Sequence, residues 1–412
     1  MALTSLCQGY SVLTHEAIID AAWKDNIQPL LLKRFPQATA EELRKAHAYA
    51  YGGAIIQDIG YYPFGKQFLS DLTHYVRSGK FIENLLADAG DLNEYAFALG
   101  SLAHYAADNA GHRVAVNRAV PLMFPKMKKR FGDVVTYADN KVSHIRVEFA
   151  FDVSQVAQGN YAPDSYHDFI GFEVSELALE RAYATTYDLE ASNLFGNKAL
   201  ALGTYRFAVS TLIPTMTKAA WSMKKDELQK ARPGVTKRQF IYNLSRSSYR
   251  KQWGQSYKGP GFGARFLAFV FSVIPKVGPL KAFAFRPPTP EAERLFMESV
   301  NQTLARYRRL LLDHSQGTLK LDSLNFDTGF PTKPGTYSLA DETYAKLLDE
   351  LKGKAIPDEL RAEILAFYAD LNAPFSTKRQ PKEWQKVLKE LDSLKASDHT
   401  PHRQETAPSR AP

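Results

Sequence analysis

His104 and Asp108 stand four residues apart, and His144 and Glu148 repeat that spacing forty residues later. Two side chains at i and i+4 lie on one face of a helix, so each pair supplies two metal-type ligands aimed the same way. His112 extends the first pair to i, i+4, i+8. Ala98, Ala103, Ala106, Ala107 and Ala110 surround these polar groups, and such small residues let a helix pack closely around a buried site. An unpaired aspartate buried there would cost several kcal/mol, and a bound cation removes that cost. Taken alone, His144 and Glu148 would read as a solvent-facing pair of a kind common by chance; beside the first pair they read as ligands. His15, Asp58 and His74 occupy the same N-terminal stretch. The set is large enough for two to three Zn2+ ions, and clusters of that size chiefly serve hydrolysis of phosphate esters.

The single cysteine, Cys7, rules out a disulfide within the chain and any cysteine-rich zinc site. Seven of the ten histidines fall in the first 167 residues: His15, His47, His74, His104, His112, His144 and His167. Metal chemistry is therefore expected from the N-terminal half, through histidines and carboxylates.

Helices must position these groups. The hydrophobic pattern predicts them over 15–23, 39–51, 68–78, 92–112, 142–156, 172–187, 200–223, 290–314, 338–352, 357–371 and 381–394. The 92–112 segment shows the period most clearly, with apolar residues at Tyr95, Ala98, Leu99, Leu102 and Ala106. Alternating runs are scarce, so the fold class is all-α. At 412 residues and 45% hydrophobic content the chain can build a substantial core. Residues 316–337 read as a linker, 316–395 as that linker plus a small helical region, and 396–412 as a disordered tail without periodicity.

The net charge is +8, and it is unevenly placed. Residues 224–286 hold fourteen Lys or Arg against Asp226 and Glu227, interleaved with Phe240, Tyr242, Tyr249, Trp253, Tyr257 and Phe262. An apolar run from Phe266 to Ile274 follows, far short of the ~20 residues that span a membrane. This basic and aromatic segment suits peripheral contact with anionic lipid headgroups. It equally suits binding of nucleic acid by charge and stacking, and a solvated flank around a core helix stands as the plain reading against both.

The order His15, Asp58, His74, His104-x3-Asp108, His112, His144-x3-Glu148 resembles the zinc-dependent phospholipase C family, whose cousins are the single-strand-specific zinc nucleases. The resemblance runs over roughly residues 10–190. It implies an all-α zinc-dependent phospholipase C-like domain over 10–195, followed by a helical extension over 196–315. It further implies one zinc on Asp58, His74, His104 and Asp108, and a second on His112, His144 and Glu148. A third would sit on His15, a bridging Asp108 and the amino end of the mature chain. Asp58 would serve as general base as well as ligand; Tyr61 and Tyr62, next to it in the chain, read as cleft walls or equally as a packed turn.

In the nuclease branch an N-terminal aromatic stands five residues before the first histidine. Tyr10 holds that place here, which implies cleavage after Gly9, residues 1–9 as a signal-peptide remnant, and an extracytoplasmic protein; without cleavage the start reads as a frayed cytoplasmic terminus. The chain departs from the family in two places: Tyr replaces the usual Trp at the amino end, and Asp108-x3-His112 is two residues shorter than the family spacing. The expected activity is hydrolysis of phospholipid or another phosphodiester. The alternatives are a single-strand nuclease-like activity and a non-catalytic, zinc-stabilised helical protein that binds membrane or ligand.

Overall fold

The structure is a computed structural model that describes residues 12–61, 65–158, 172–190, 226 and 286–396. The expected helix over 200–223, the tail from 397 onward, residues 1–9, Tyr10, Tyr62 and all of the 224–286 segment but Asp226 and Arg286 lie outside the described residues. What is described is all-α apart from one two-residue hairpin.

Helix α6 (Leu92–Ala110) is the axis of the molecule. Asp91 starts it, its carboxylate accepting the backbone N–H groups of Asn93 and Glu94. Every residue from Tyr95 to Ala110 is buried, so the helix is covered on all sides rather than on one stripe. Helices α1 (Val12–Ala22), α2 (Gln28–Arg34), α3 (Ala40–Ile55), α5 (Ser78–Asp88) and α11 (Pro290–Ser315) pack around it. A Thr39 and Glu42 capping box opens α3.

Helices α3 and α6 meet backbone to backbone. A Cβ built on Gly53 would lie 1.9 Å from the Phe97 carbonyl oxygen, and one on Gly100 would lie 2.0 Å from that of Ala50. Ser101 Oγ donates to the Gly53 carbonyl at 3.1 Å across the same seam. The close approach carries the tight turn Ile56–Tyr61 at the end of α3, and with it Asp58, against the middle of α6.

The helix expected over 68–78 is broken. Helix α4 (Gln67–Tyr75) ends at an extended Val76, and Arg77 adopts a left-handed conformation with φ 50° before α5 begins. The buried Arg77 guanidinium donates to the Thr186 carbonyl at 2.8 Å and pairs with Glu359 and Glu363 at 3.1 and 3.0 Å. Tertiary anchoring of this side chain overrides local propensity. Further along lie α7 (Asn117–Met123), α8 (Pro125–Phe131), α9 (Lys141–Gln158) and α10 (Glu176–Tyr187).

Residues 316–337 are packed, not a free linker. They form the antiparallel hairpin β1 (Leu324–Asn325) and β2 (Phe330–Pro331). The backbone N–H of Phe326 donates to the His74 carbonyl at 3.1 Å, Tyr105 Oη donates to the Asp322 carbonyl at 3.0 Å, and Ser78 Oγ donates to the Leu324 carbonyl at 2.7 Å. Helices α12 (Ser338–Glu350), α13 (Asp358–Phe367) and α14 (Pro381–Ala396) follow. They are joined by Tyr344 stacked on Phe367 at 3.6 Å and Phe375 stacked on Trp384 at 5.3 Å. Among the described residues no helix is long and apolar enough to cross a membrane.

Candidate metal centre

Helix α6 delivers His104 and Asp108 from one face, as their spacing requires. His104 Nε2 lies 3.1 Å from Asp108 Oδ2. From α4, His74 Nε2 comes within 3.4 Å of the same oxygen and 3.3 Å of Asp58 Oδ1. One ligand atom from each of Asp58, His74, His104 and Asp108 lies within 4.8 Å of the others, all four residues buried. His15, on α1, places Nε2 3.3 Å from Asp108 Oδ1 and stacks on the His104 ring at 4.6 Å.

The helix does not stop cleanly after Asp108. It widens into a π-type turn at Gly111–Val116, a feature common at functional sites. His112 still faces inward, with Nε2 3.8 Å from Asp108 Oδ2. It stacks on His144 of α9 at 4.9 Å, and His144 Nδ1 lies 2.7 Å from Glu148 Oε1. His112, His144 and Glu148 form a second buried group with ligand atoms within 4.8 Å.

The rings are oriented from behind. His74 Nδ1 donates to the Ser70 carbonyl at 2.7 Å and His104 Nδ1 to the Ala54 carbonyl at 2.9 Å. Each bond holds a proton on Nδ1 and so makes Nε2, on the ligand side, the nitrogen free to ligate in the neutral ring, the usual arrangement behind a metal-binding histidine. His144 is turned the other way: Nε2 donates to Asn117 Oδ1 at 2.8 Å, which leaves Nδ1 facing Glu148.

The front of the site is a set of polar atoms that approach one another without bonding. Asp58 Oδ1, both oxygens of Asp108, Nε2 of His74, His104 and His112, and Nδ1 of His144 are buried with no hydrogen-bond partner among the described residues. Nitrogen and oxygen come within 3.1–3.4 Å of each other without forming hydrogen bonds. Leaving so many buried groups unsatisfied is costly, and a shared cation removes the cost. The donor set of imidazole and carboxylate suits zinc.

Charge coupling in the site is strong. Burial disfavours a charged His74, but its contacts to Asp108 and Asp58 outweigh that and raise it to about 10. Burial would raise Asp108, yet the surrounding histidines, His104 first, hold it well below the usual carboxylate range. Burial, then the neighbouring His112, drives His144 well below the usual histidine value, so it is neutral and ready to ligate.

Residues 14–197 match the family model for zinc dependent phospholipase C. The resemblance carried by the ordered motifs therefore holds over this segment, and the all-α fold agrees with it. No curated protein and no solved structure matches the chain. The phospholipase C-like segment contains every member of both ligand groups, together with His15. Tyr61, expected as a cleft wall, is a buried residue with its ring edge on His74 at 5.5 Å and its hydroxyl donating to Asp71 at 3.0 Å.

Three supporting residues escaped the sequence reading. Asp152 accepts the backbone N–H groups of Leu13 and Thr14 at 3.0 and 3.1 Å and the Thr14 hydroxyl at 2.6 Å, fixing the start of α1 beside His15. Its place four residues after Glu148 was an available signal. Asn117 bonds His144 but carries no motif. Asp327, on the hairpin, reaches His112 from outside the phospholipase C-like segment.

Proposed function

We propose that the protein is a zinc-dependent phosphoric diester hydrolase acting on phospholipids in the manner of a phospholipase C. The observation that carries this reading is the position of Asp108. One buried carboxylate faces His15 with Oδ1 and His74, His104 and His112 with Oδ2, so both ligand groups open onto a single site. A non-catalytic zinc would need only one closed group.

Zinc bound here would neutralise charge building at a phosphoryl group and lower the pKa of a coordinated water toward neutrality. The protein's own residues do the rest. The carbonyls of Ser70 and Ala54 hold the Nδ1 protons of His74 and His104, so that Nε2 is the nitrogen left to ligate once each ring is neutral. Asp58, with Oδ1 beside His74 Nε2, is placed to accept a proton from the attacking water. Phe326 lies against the His74 and His104 rings at 5.1 and 5.8 Å, and holds water from their outer edges.

The reading extends to the compartment. Tyr10 stands five residues before His15 in the sequence, and a mature amino terminus there would supply the third-zinc ligand, which favours an exported, processed protein. Intact-mass measurement on protein from its own host tests this, with an unprocessed Met1 as the adverse result. For the activity, phosphatidylcholine, bis-nitrophenyl phosphate and single-stranded DNA are compared with and without chelator. Chelator-sensitive cleavage of the lipid is expected; DNA cleavage alone would favour the nuclease-like reading, and three intact substrates with zinc fully loaded would end the enzyme reading.

A further inference from the structure

The second ligand group is held from behind by a part of the chain that lies far beyond the phospholipase C-like segment. Asp327 sits between β1 and β2 and is fully buried. Its Oδ2 accepts the hydroxyls of Tyr75, at 2.8 Å, and Tyr337. Those bonds aim Oδ1 at His112 Nδ1, 3.4 Å away, and this oxygen has no hydrogen-bond partner among the described residues. The Asp327 backbone is fixed as well: its N–H donates to Asn325 Oδ1 at 3.0 Å, and its carbonyl accepts Asn117 Nδ2 at 2.6 Å. Asn117 Oδ1 is the acceptor for His144 Nε2. Both histidines of the group are thus backed by the same hairpin residue, His112 through its carboxylate and His144 through its carbonyl and the Asn117 amide.

We infer that Asp327 is the positioning residue of the His112, His144 and Glu148 group, setting the ring orientation and tautomer of both histidines for a metal ion. A carboxylate behind Nδ1 retains the proton there and leaves His112 Nε2 to ligate on the Asp108 side, while Asn117, oriented by the Asp327 carbonyl, holds the proton of His144 on Nε2 and leaves Nδ1 to ligate. Burial of an acid in this place is otherwise expensive, since two tyrosine hydroxyls on one oxygen leave the other unsatisfied. The rings are separately clamped from the side: Tyr137 stands edge-on to His144 at 5.8 Å. Among the described residues, Asp327 and Asn117 are the groups that face the nitrogens turned away from Asp108 and Glu148. The hairpin is therefore part of the metal centre although no ligand lies on it.

The inference rests on the reading of these residues as a zinc site, and the experiment separates the two. Metal-free full-length protein is titrated with zinc against a chromophoric chelator, and with Co2+ to follow its absorption bands. Glu148→Gln identifies which equivalent belongs to the second group. In Asp327→Ala that equivalent should weaken by about 10- to 100-fold, the cost typical of losing a partner behind a metal-bound histidine. The equivalent bound by Asp58, His74, His104 and Asp108 should keep its affinity and its Co2+ spectrum. Asp327→Asn keeps an acceptor oxygen and should recover part of the loss; it also serves if the alanine variant does not fold. Wild-type affinity for both equivalents in the Asn and Ala variants overturns the inference, as does equal weakening of both equivalents, which a general structural role would produce. If Glu148→Gln removes no equivalent at all, the zinc-site reading itself fails.

Discussion

Asp108 and His15 face each other at 3.3 Å through Oδ1 and Nε2, while the other oxygen of the same carboxylate is turned toward the remaining histidines of α6 and α4. Under the proposed function, a carboxylate divided in this way would serve more than one metal position. Asp108→Ala is therefore expected to remove more than one zinc per chain and to lower phosphodiester hydrolysis by about 100-fold or more, at least the cost of losing a supporting partner of a single ligand. Metal analysis by mass spectrometry after dialysis checks it; loss of no zinc would show that Asp108 is a bystander.

Zinc uptake should release protons, and unequally. A histidine ligates only when neutral. His74 titrates near 10 in the metal-free protein because its contacts to Asp108 and Asp58 outweigh burial, so at pH 7 it is charged and must lose its proton to bind. His144 is already neutral. Affinity of the first group should accordingly rise with pH up to about 10, while His144 adds no such dependence to the second. Calorimetry in buffers of different ionisation enthalpy counts the protons; none released at pH 7 would contradict the assignment of His74 as a ligand.

Gly100→Ala should destabilise the protein despite the better helix former. Replacing glycine within a helix gains about 1 kcal/mol, but the new Cβ would lie 2.0 Å from the Ala50 carbonyl oxygen. Backbone cannot yield as a side-chain tip can, and overpacking of this kind costs about 1–3 kcal/mol. The net expectation is a lower Tm by thermal denaturation, accompanied by weaker zinc binding as α3 is pushed away. A raised Tm would mean the seam is looser than the structure shows.

Asp71, three residues before His74 on α4, offers a pH test at a residue outside the candidate ligand set. Burial raises its carboxyl to about 7, against the Tyr61 hydrogen bond, which lowers it. Folding therefore favours the protonated form, and this residue subtracts stability as pH rises from about 4 through 7. Asp71→Asn mimics the protonated form. The difference in Tm between variant and wild type should grow in the variant's favour between pH 5 and 8 and then level off. A difference independent of pH would show that Asp71 ionises normally.

The grouping of the candidate ligands was legible because helical spacing is a local property. His104 with Asp108 and His144 with Glu148 needed only the 3.6-residue turn to face the same way, and Asp58 and His74 gained meaning from their order. The break at Arg77 was not legible: a left-handed arginine carries no local signal, and the contacts that hold it come from Thr186, Glu359 and Glu363, far along the chain. Asp327 was hidden for the same reason. Asn325, Asp327 and Gly329 spell a turn, and nothing in a turn says which helix it will lie against.

The Gly53 and Gly100 seam has a consequence for how the centre tolerates change. Because α3 and α6 touch main chain to main chain, the gap between Asp58 and the α6 ligands is set by atomic radii, which no substitution of a neighbouring side chain can tune. The scaffold behaves as a fixed gauge. Variation in the substrate or the metal taken must then arise at the rim and in the hairpin, while the interval between the carboxylates stays constant.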